Sequence, residues 1–313
     1  TSALHNPCVP EQGWPAERRS FTRKQLDEIT AIKQRHARTC LIPSASLRVN
    51  PRQSSCHDLL LKETLPGLVS ILIPFRDRVE LTKICVQSLQ TNASDSVPFE
   101  IILIDNGSEE DCTKMWIQEI TQSTNIHCLR IDEPFNFSRL NNLARKACNG
   151  DYLLFLNNDI EFLSSNILNQ LLDPFAHPGT AAVGARLLYP DRSIQHQGVV
   201  IIKGERRCVL EPGKHLHQPE VIDSLIPLKV QEEFSAASAA CLLVKADRFD
   251  AIGGFNEELA VVFNDVDLCL RLREDGGHIV VTPHPAIIHH ESVSRGKDLE
   301  GKAWARHQRE SGL

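Results

Sequence analysis

Between Leu68 and Asn157 the chain alternates short, unbroken apolar runs with stretches of helical periodicity, and this alternation restricts the fold more than any other feature. Val69-Ser70-Ile71-Leu72-Ile73, halted by Pro74, reads as a parallel strand buried on both faces, because a strand covered on one side only would alternate polar with apolar. Leu81, Ile84, Cys85 and Leu89 then recur at helical spacing and predict an amphipathic helix ending near Asn92. Ile101 to Ile104 predicts a second strand, the stretch around Met115 to Ile120 a second helix, and Ile126 to Ile131 a third strand. Ser138 is placed to cap a helix that runs to Cys148 and is closed by Gly150, and Tyr152 to Leu156 predicts a fourth strand. Strand and helix in turn imply an α/β fold with a doubly wound, mostly parallel central sheet. In such sheets ligands lie beyond the carboxyl ends of the strands.

The flanking segments read differently. Residues 1–66 are polar and irregular, with one weak helical pattern from Arg23 to Arg38, and are expected to form an N-terminal extension. Downstream, Ala181 to Leu188, Val199 to Ile202 and Cys241 to Val244 predict strands, with the polar stretch from Lys203 to Glu233 as an insertion loop. A helix from about Asp265 to Glu274 precedes a last strand, Ile279 to Val281.

With 313 residues, 42% hydrophobic and 24% charged, the chain can bury one sizeable core or two modest ones. Its 34 basic and 40 acidic residues leave a net charge of -6, against a nucleic-acid partner, which demands clustered positive charge. Ten cysteines are scattered from Cys8 to Cys269 without a CxxC pair, the pattern of reduced thiols in a cytoplasmic protein. The longest apolar stretch, Phe234 to Val244, is too short and too rich in Ala and Ser to cross a bilayer, which leaves peripheral attachment to the inner face of a membrane open. The start at Thr1-Ser2-Ala3 shows no leader pattern and no initiator Met, as expected of an excised fragment.

Acidic and amide residues follow the predicted strands: Pro74-Phe75-Arg76-Asp77, Asp105-Asn106-Gly107-Ser108 and Asn157-Asn158-Asp159. Each motif alone reads equally well as a turn or cap, and it is their repetition along one edge that suggests a ligand. Asp77 and Asp105 suit recognition of a base and ribose. Asp159 suits a hard divalent cation that neutralises a diphosphate. In Phe263-Asn264-Asp265-Val266-Asp267 the acids fit a first helical turn, yet Asp265 is also a candidate general base for a hydroxyl. His289, or with less force its neighbour His290, could complete the coordination begun by Asp159.

Taken together, these motifs resemble family 2 glycosyltransferases with the GT-A fold, especially the bacterial branch of O-antigen and rhamnan-type polysaccharide enzymes. The resemblance spans Leu68 to Gly296 and adds Phe135-Asn136-Phe137-Ser138, Ile194-Gln195-His196-Gln197-Gly198, Gly253-Gly254-Phe255 and His289-His290-Glu291-Ser292-Val293-Ser294-Arg295-Gly296 to the motifs above. It implies a GT-A domain over residues 67–313. Residues 67–160 would form the nucleotide-sugar half, 161–297 the acceptor half and 298–313 a tail. It also implies roles. Pro74, Phe75, Asp77, Asp105, Asn106 and Gly107 would meet the nucleoside, with Asn136 and Asn142 beside them. Asn157, Asn158 and Asp159 would be the DxD-type motif, with Asp159 and His289 on Mn2+ or Mg2+, Gln195 and His196 near the donor sugar or acceptor, and Asp265 the base.

Two positions depart from the broader family: Asn157 replaces the first Asp of DxD, and Asn264-Asp265 replaces Glu-Asp. The expected reaction is inverting transfer of a sugar, rhamnosyl among the options, from a nucleotide-diphosphate donor to a polysaccharide or lipid-linked acceptor. The alternative is a non-catalytic nucleotide-sugar-binding module that partners another segment. A sugar-phosphate nucleotidyltransferase fits less well, since Pro74-Phe75-Arg76-Asp77 is not a glycine-rich basic loop.

Overall fold

The computed structural model describes residues 67–93, 95–202, 208–210 and 231–290. The N-terminal extension with its expected helix, most of the Lys203 to Glu233 stretch and everything after His290 lie outside the described residues.

Four strands build the first half: β1 (Val69–Phe75), β2 (Phe99–Asp105), β3 (Ile126–Arg130) and β4 (Tyr152–Leu156). They are joined by the helices α1 (Val79–Asn92), α2 (Asp111–Ile120) and α3 (Phe137–Arg145). Every pairing among these strands is parallel, in the order β4-β1-β2-β3. The second half adds β5 (Ile160–Phe162), α4 (Ile167–Leu172), a 3-10 turn at Asp173–Ala176, β6 (Thr180–Leu188), β7 (Ile194–His196), β8 (Val200–Ile202) and β9 (Cys208–Leu210). It closes with β10 (Glu232–Phe234), β11 (Cys241–Lys245), α5 (Ala246–Ala251), α6 (Asn264–Glu274) and β12 (His278–His289). The continuous path is β10-β12-β6-β11-β4-β1-β2-β3, with β5 attached to β12 and β7 to β6, while β8 and β9 form a separate hairpin. β11 runs antiparallel to both β4 and β6, so the sheet changes character at β4: parallel toward β1, antiparallel toward β11.

The apolar runs have no polar alternation because both faces of the sheet are covered. One face packs Val69, Ile71 and Ile73 against Cys85, Val86 and Leu89 of α1, Trp116 of α2 and Ile167, Leu168 and Leu171 of α4. The other packs Leu72, Ile102, Ile104, Leu153 and Phe155 against α3, α5 and α6. Each large aliphatic side chain so buried stabilises the fold by about 1.5–3 kcal/mol.

Several expectations shift in detail. β1 runs through Pro74 because its pairing with β4 ends at Leu72, so the missing N–H faces no neighbouring strand, while pairing with β2 continues to Phe75. The buried stripe of α1 is Val79, Thr82, Cys85, Val86 and Leu89, and Ile84 is exposed. α2 starts earlier than the stretch around Met115 to Ile120, at Asp111, and buries Thr113 and Trp116. β12 is twelve residues long; its pairing with β6 breaks between Thr282 and Ile287 around Pro283 and Pro285, then resumes. The six described cysteines with placed side chains are free.

Candidate functional site

At the ends of β1 and β2 the expected motifs are laced to each other. Asn106 N–H donates to Phe75 O at 2.9 Å, extending the parallel ladder one step, and its side-chain amide donates to Ile131 O and Glu133 O. The Phe75 ring is buried edge-on against Trp116, so this residue offers the strand end its backbone. Asp105 is 2% exposed; it accepts from Ser108 N at 2.7 Å and from the Arg130 guanidinium at 2.9 Å. Gly107 turns at φ 78°, where a Cβ would also meet the Asp132 carboxylate at 2.5 Å. Asp77, itself at φ 48°, accepts from the Glu109 and Glu110 amides and so caps the approach to α2. The strand ends thus form a rigid shelf, with both acids oriented by protein donors.

The asparagines of α3 are engaged within the protein. Asn136, not Ser138, caps the helix: its Oδ1 accepts from Arg139 N, and its Nδ2 donates to Glu257 O. Ser138 donates to Leu259 O, and Asn142 both accepts from Phe255 N and donates to Phe255 O. Together they grip residues 255–259, the segment leading to Asp265. Gly253 and Gly254 reach it at φ 78° and 75°, and a Cβ at Gly254 would lie 2.6 Å from Asn142 Oδ1. The turn drops Phe255 among Phe137, Phe155 and Phe249.

Asp159 and His289, 130 residues apart in the chain, meet: Oδ1 of the aspartate lies 3.1 Å from Nε2 of the histidine. Both are buried. The main chain draws them together, because β12 pairs with β5 up to His289↔Ile160 and His290 N–H donates to Asp159 O at 2.9 Å. Asn157 Nδ2 lies 3.2 Å from the same Nε2, and Asn158 is tethered to Thr82 of α1. His290 turns instead to Glu161, at 2.9 Å.

The hydrogen-bond pattern tests whether a cation fits. His289 Nδ1 lies 2.6 Å from the Gln195 side-chain carbonyl oxygen, which can only accept, so Nδ1 carries a proton, and in the neutral ring Nε2 presents a lone pair toward Asn157 Nδ2 and the Asp159 carboxylate. A lone-pair nitrogen beside a carboxylate oxygen is a donor set suited to Mn2+ or Mg2+. Among the described residues no group of three or more His, Cys, Asp and Glu gathers anywhere, so two protein ligands would leave positions open to phosphate oxygens.

Asp265 sits in the first turn of α6, partly buried, with Oδ2 accepting from Ala239 N at 3.1 Å and Oδ1 from Val266 N at 2.8 Å. Burial pushes its carboxyl above the ordinary value, against the opposing pull of these amides. His196 is buried, and its Nε2 accepts from Gly198 N and Ser238 N. The segment 238–240 is the common spine: Ser238 N meets His196, Ala239 N meets Asp265, and Ala240 O accepts from Asn157 N. Inspection of the residues that follow each strand misses this segment. It precedes β11, whose antiparallel course brings its start to the functional edge, and it contributes backbone groups that no side-chain motif advertises. Gln195 and His196 therefore stand behind His289 and the spine.

Residues 70–224 match the model of the family described as Glycosyl transferase family 2. The uncharacterized protein y4gI of Sinorhizobium fredii is 40% identical over 78% of this chain and 26% of its own length. The O-antigen biosynthesis protein RfbC of Myxococcus xanthus is 34% identical over 74% of this chain and 18% of its own. An N-acetylglucosaminyl-diphospho-decaprenol L-rhamnosyltransferase of Mycobacterium tuberculosis is 26% identical over 67% of this chain and 73% of its own. The chain thus spans about a quarter or less of the first two relatives. Among solved structures, GalNAc-T7 with UDP, GalNAc and Mn2+ superposes with a TM-score of 0.62 at 14% identity, covering 80% of this chain and 48% of that one. The mannosyltransferase PcManGT of Pyrobaculum calidifontis, with GDP-Man and Mn2+, gives 0.56 at 14% identity, covering 79% and 63%. These structures share the fold, and the family model and the relatives match in sequence: the chain belongs to glycosyltransferase family 2, on the GT-A fold, with relatives among bacterial polysaccharide enzymes.

Proposed function

We propose that this domain transfers one sugar from a nucleotide-diphosphate donor to a hydroxyl of a growing polysaccharide or lipid-linked saccharide, with inversion at the anomeric carbon. The observation that carries the reading is the meeting of Asp159 and His289 at 3.1 Å, with the spine that binds Asn157 also holding Asp265. A role in O-antigen or similar surface-polysaccharide assembly, with rhamnosyl transfer as one form, draws support from the names of the RfbC protein and the rhamnosyltransferase. A lipid-linked acceptor would set the reaction at the cytoplasmic face of a membrane; no described helix is long and apolar enough to cross one.

Asp159 and His289 would hold Mn2+ or Mg2+, which when bound supplies positive charge to a departing diphosphate. The remaining chemistry belongs to the chain. The shelf formed by Asp77 and Asp105 to Gly107 would receive the nucleoside. Asp265, held by the Ala239 and Val266 amides, would take the proton from the acceptor hydroxyl as its oxygen bonds to the anomeric carbon; the carbon–oxygen bond to the diphosphate breaks, and the diphosphate leaves with the electron pair. Its raised affinity for a proton suits that task.

The test is transfer assayed over a panel of nucleotide sugars with Mn2+, with chelator, and with Asp265→Asn. Chelator should abolish transfer and added Mn2+ restore it. Asp265→Asn should lower kcat by about a hundredfold or more with donor affinity changed less than about twofold. Full turnover in Asp265→Asn or in chelator would remove the proposal.

A further inference from the structure

We infer that Gln195 is a positioning residue for cation binding: it fixes the ring of His289 and the tautomer that turns Nε2 toward Asp159. The inference rests on the reading of Asp159 and His289 as cation ligands and goes beyond it, since Gln195 would touch neither cation nor donor.

Gln195 is 4% exposed and closes a ring with a single residue. Its Oε1 faces His289 Nδ1 at 2.6 Å, and its Nε2 donates to the backbone carbonyl of the same His289 at 3.3 Å. The second bond fixes the amide, because the flipped amide would set its oxygen against a carbonyl oxygen. With the amide fixed, of the two neutral tautomers of His289 only the Nδ1–H form makes the 2.6 Å contact, and in it Nε2 is the lone-pair atom. A histidine that ligates a metal through one nitrogen needs its other N–H held in this way, and loss of such a partner weakens metal binding about 10–100-fold.

Local backbone is bent to deliver this side chain. β7 pairs with β6 as Leu188↔Ile194 and then Leu187↔His196, so Gln195 is the extra residue of a β-bulge. Leu187 and Leu188 also pair with Ile287 and Ile288 of β12, so β6 lies between Gln195 and the end of β12, and the side chain reaches across it. A regular ladder would point Gln195 elsewhere.

The experiment titrates the full chain with Mn2+ alone, counting free aquo-ion by electron paramagnetic resonance, for wild type, His289→Ala, Gln195→Leu and Gln195→Glu. Both Gln195 variants lose the donor to His289 O, but only Glu keeps an acceptor for Nδ1–H. Gln195→Leu should bind Mn2+ about 10–100-fold more weakly, and Gln195→Glu should return to within about threefold of wild type. A merely structural role would not separate the two. Gln195→Leu equal to wild type while His289→Ala loses the ion overturns this inference and leaves the cation reading standing; wild type and His289→Ala alike overturns both. Should a variant fail to fold, 15N spectra of the metal-free wild type decide: Nδ1 of His289 should be the protonated nitrogen, and a protonated Nε2 with bare Nδ1 overturns the inference.

Discussion

Asp265 is a carboxylate whose surroundings work against its charge, and that has a consequence for pH. Burial raises its pKa above the ordinary 3.8, while the amides of Ala239 and Val266 pull the other way. As the proposed base it would act ionised, so kcat/KM should climb as pH rises through this raised value. Asp265→Asn should abolish that acid limb as well as most of the rate, which a pH profile of both proteins checks. The folded state also holds this proton more tightly than the unfolded chain. Its contribution to stability is therefore most favourable at low pH and declines as pH rises through the folded value. At this scale the sequence was legible where side chains at element ends converge: Asp159 and His289, singled out from distant motifs, lie 3.1 Å apart, and Asp265 stands in the first turn of α6. It was not legible where backbone does the work, as at Ser238 to Ala240. Nor did it reveal that Asn142 holds the backbone of Phe255, because the residue type suits many tasks.

Among the elements, the junction of β1, β2 and the turn before β4 depends on one buried acid. Glu100 of β2 accepts from Ser70 Oγ at 2.6 Å and from Asn149 N and Nδ2, while Gly150 N donates to Ser70 Oγ. Burial pushes this carboxyl up, and the hydrogen bonds outweigh it, leaving it below the ordinary 4.5. Its stabilisation is then present above 4.5 and lost as pH falls through the lower folded value. Glu100→Ala should cost on the order of 3 kcal/mol, since hydrogen bonds to a charged group are worth about 1.5–3 kcal/mol and their donors would be left buried. Denaturant melts at neutral and acid pH check both parts: the deficit should shrink in acid. Strands β1, β2 and β4 were readable because burial on two faces forces an apolar run. The length of β12 was not, since Pro283 and Pro285 look like terminators and only the interrupted ladder with β6 shows that the strand resumes. The phase of α1 misled for a related reason: Ile84 lies beside the apolar stripe, and Thr82, polar by type, belongs to it.

For the whole molecule, the sheet joins a parallel half, whose strand ends form the shelf proposed for the nucleoside, to a mixed half in which β11 runs antiparallel to β4 and β6 while β12 runs parallel to β6, bringing the start of β11 and the end of β12 to the same edge. A donor nucleotide would engage the first half and a cation the second through His289, so each should improve the other's binding. The melting temperature should rise more with nucleoside diphosphate and Mn2+ together than the sum of their separate shifts; saturation at about 100 times Kd corresponds to about 2.7 kcal/mol. Additive shifts would mean that the two halves bind independently. The α/β class was evident from alternation, whereas the reversal at β4 was not, because a buried strand carries no mark of its direction.

The weave of β5 with β12 also dictates a tolerance. Asp159 precedes β5 and His289 ends β12, with the pairing Ile160↔His289 beside them, so the gap across which they face each other is set by main-chain stitching. Asp159→Glu, which keeps the charge but adds a methylene, should therefore lose Mn2+ as thoroughly as Asp159→Ala in the same titration. Reach, and not charge alone, would then be what this corner of the protein selects.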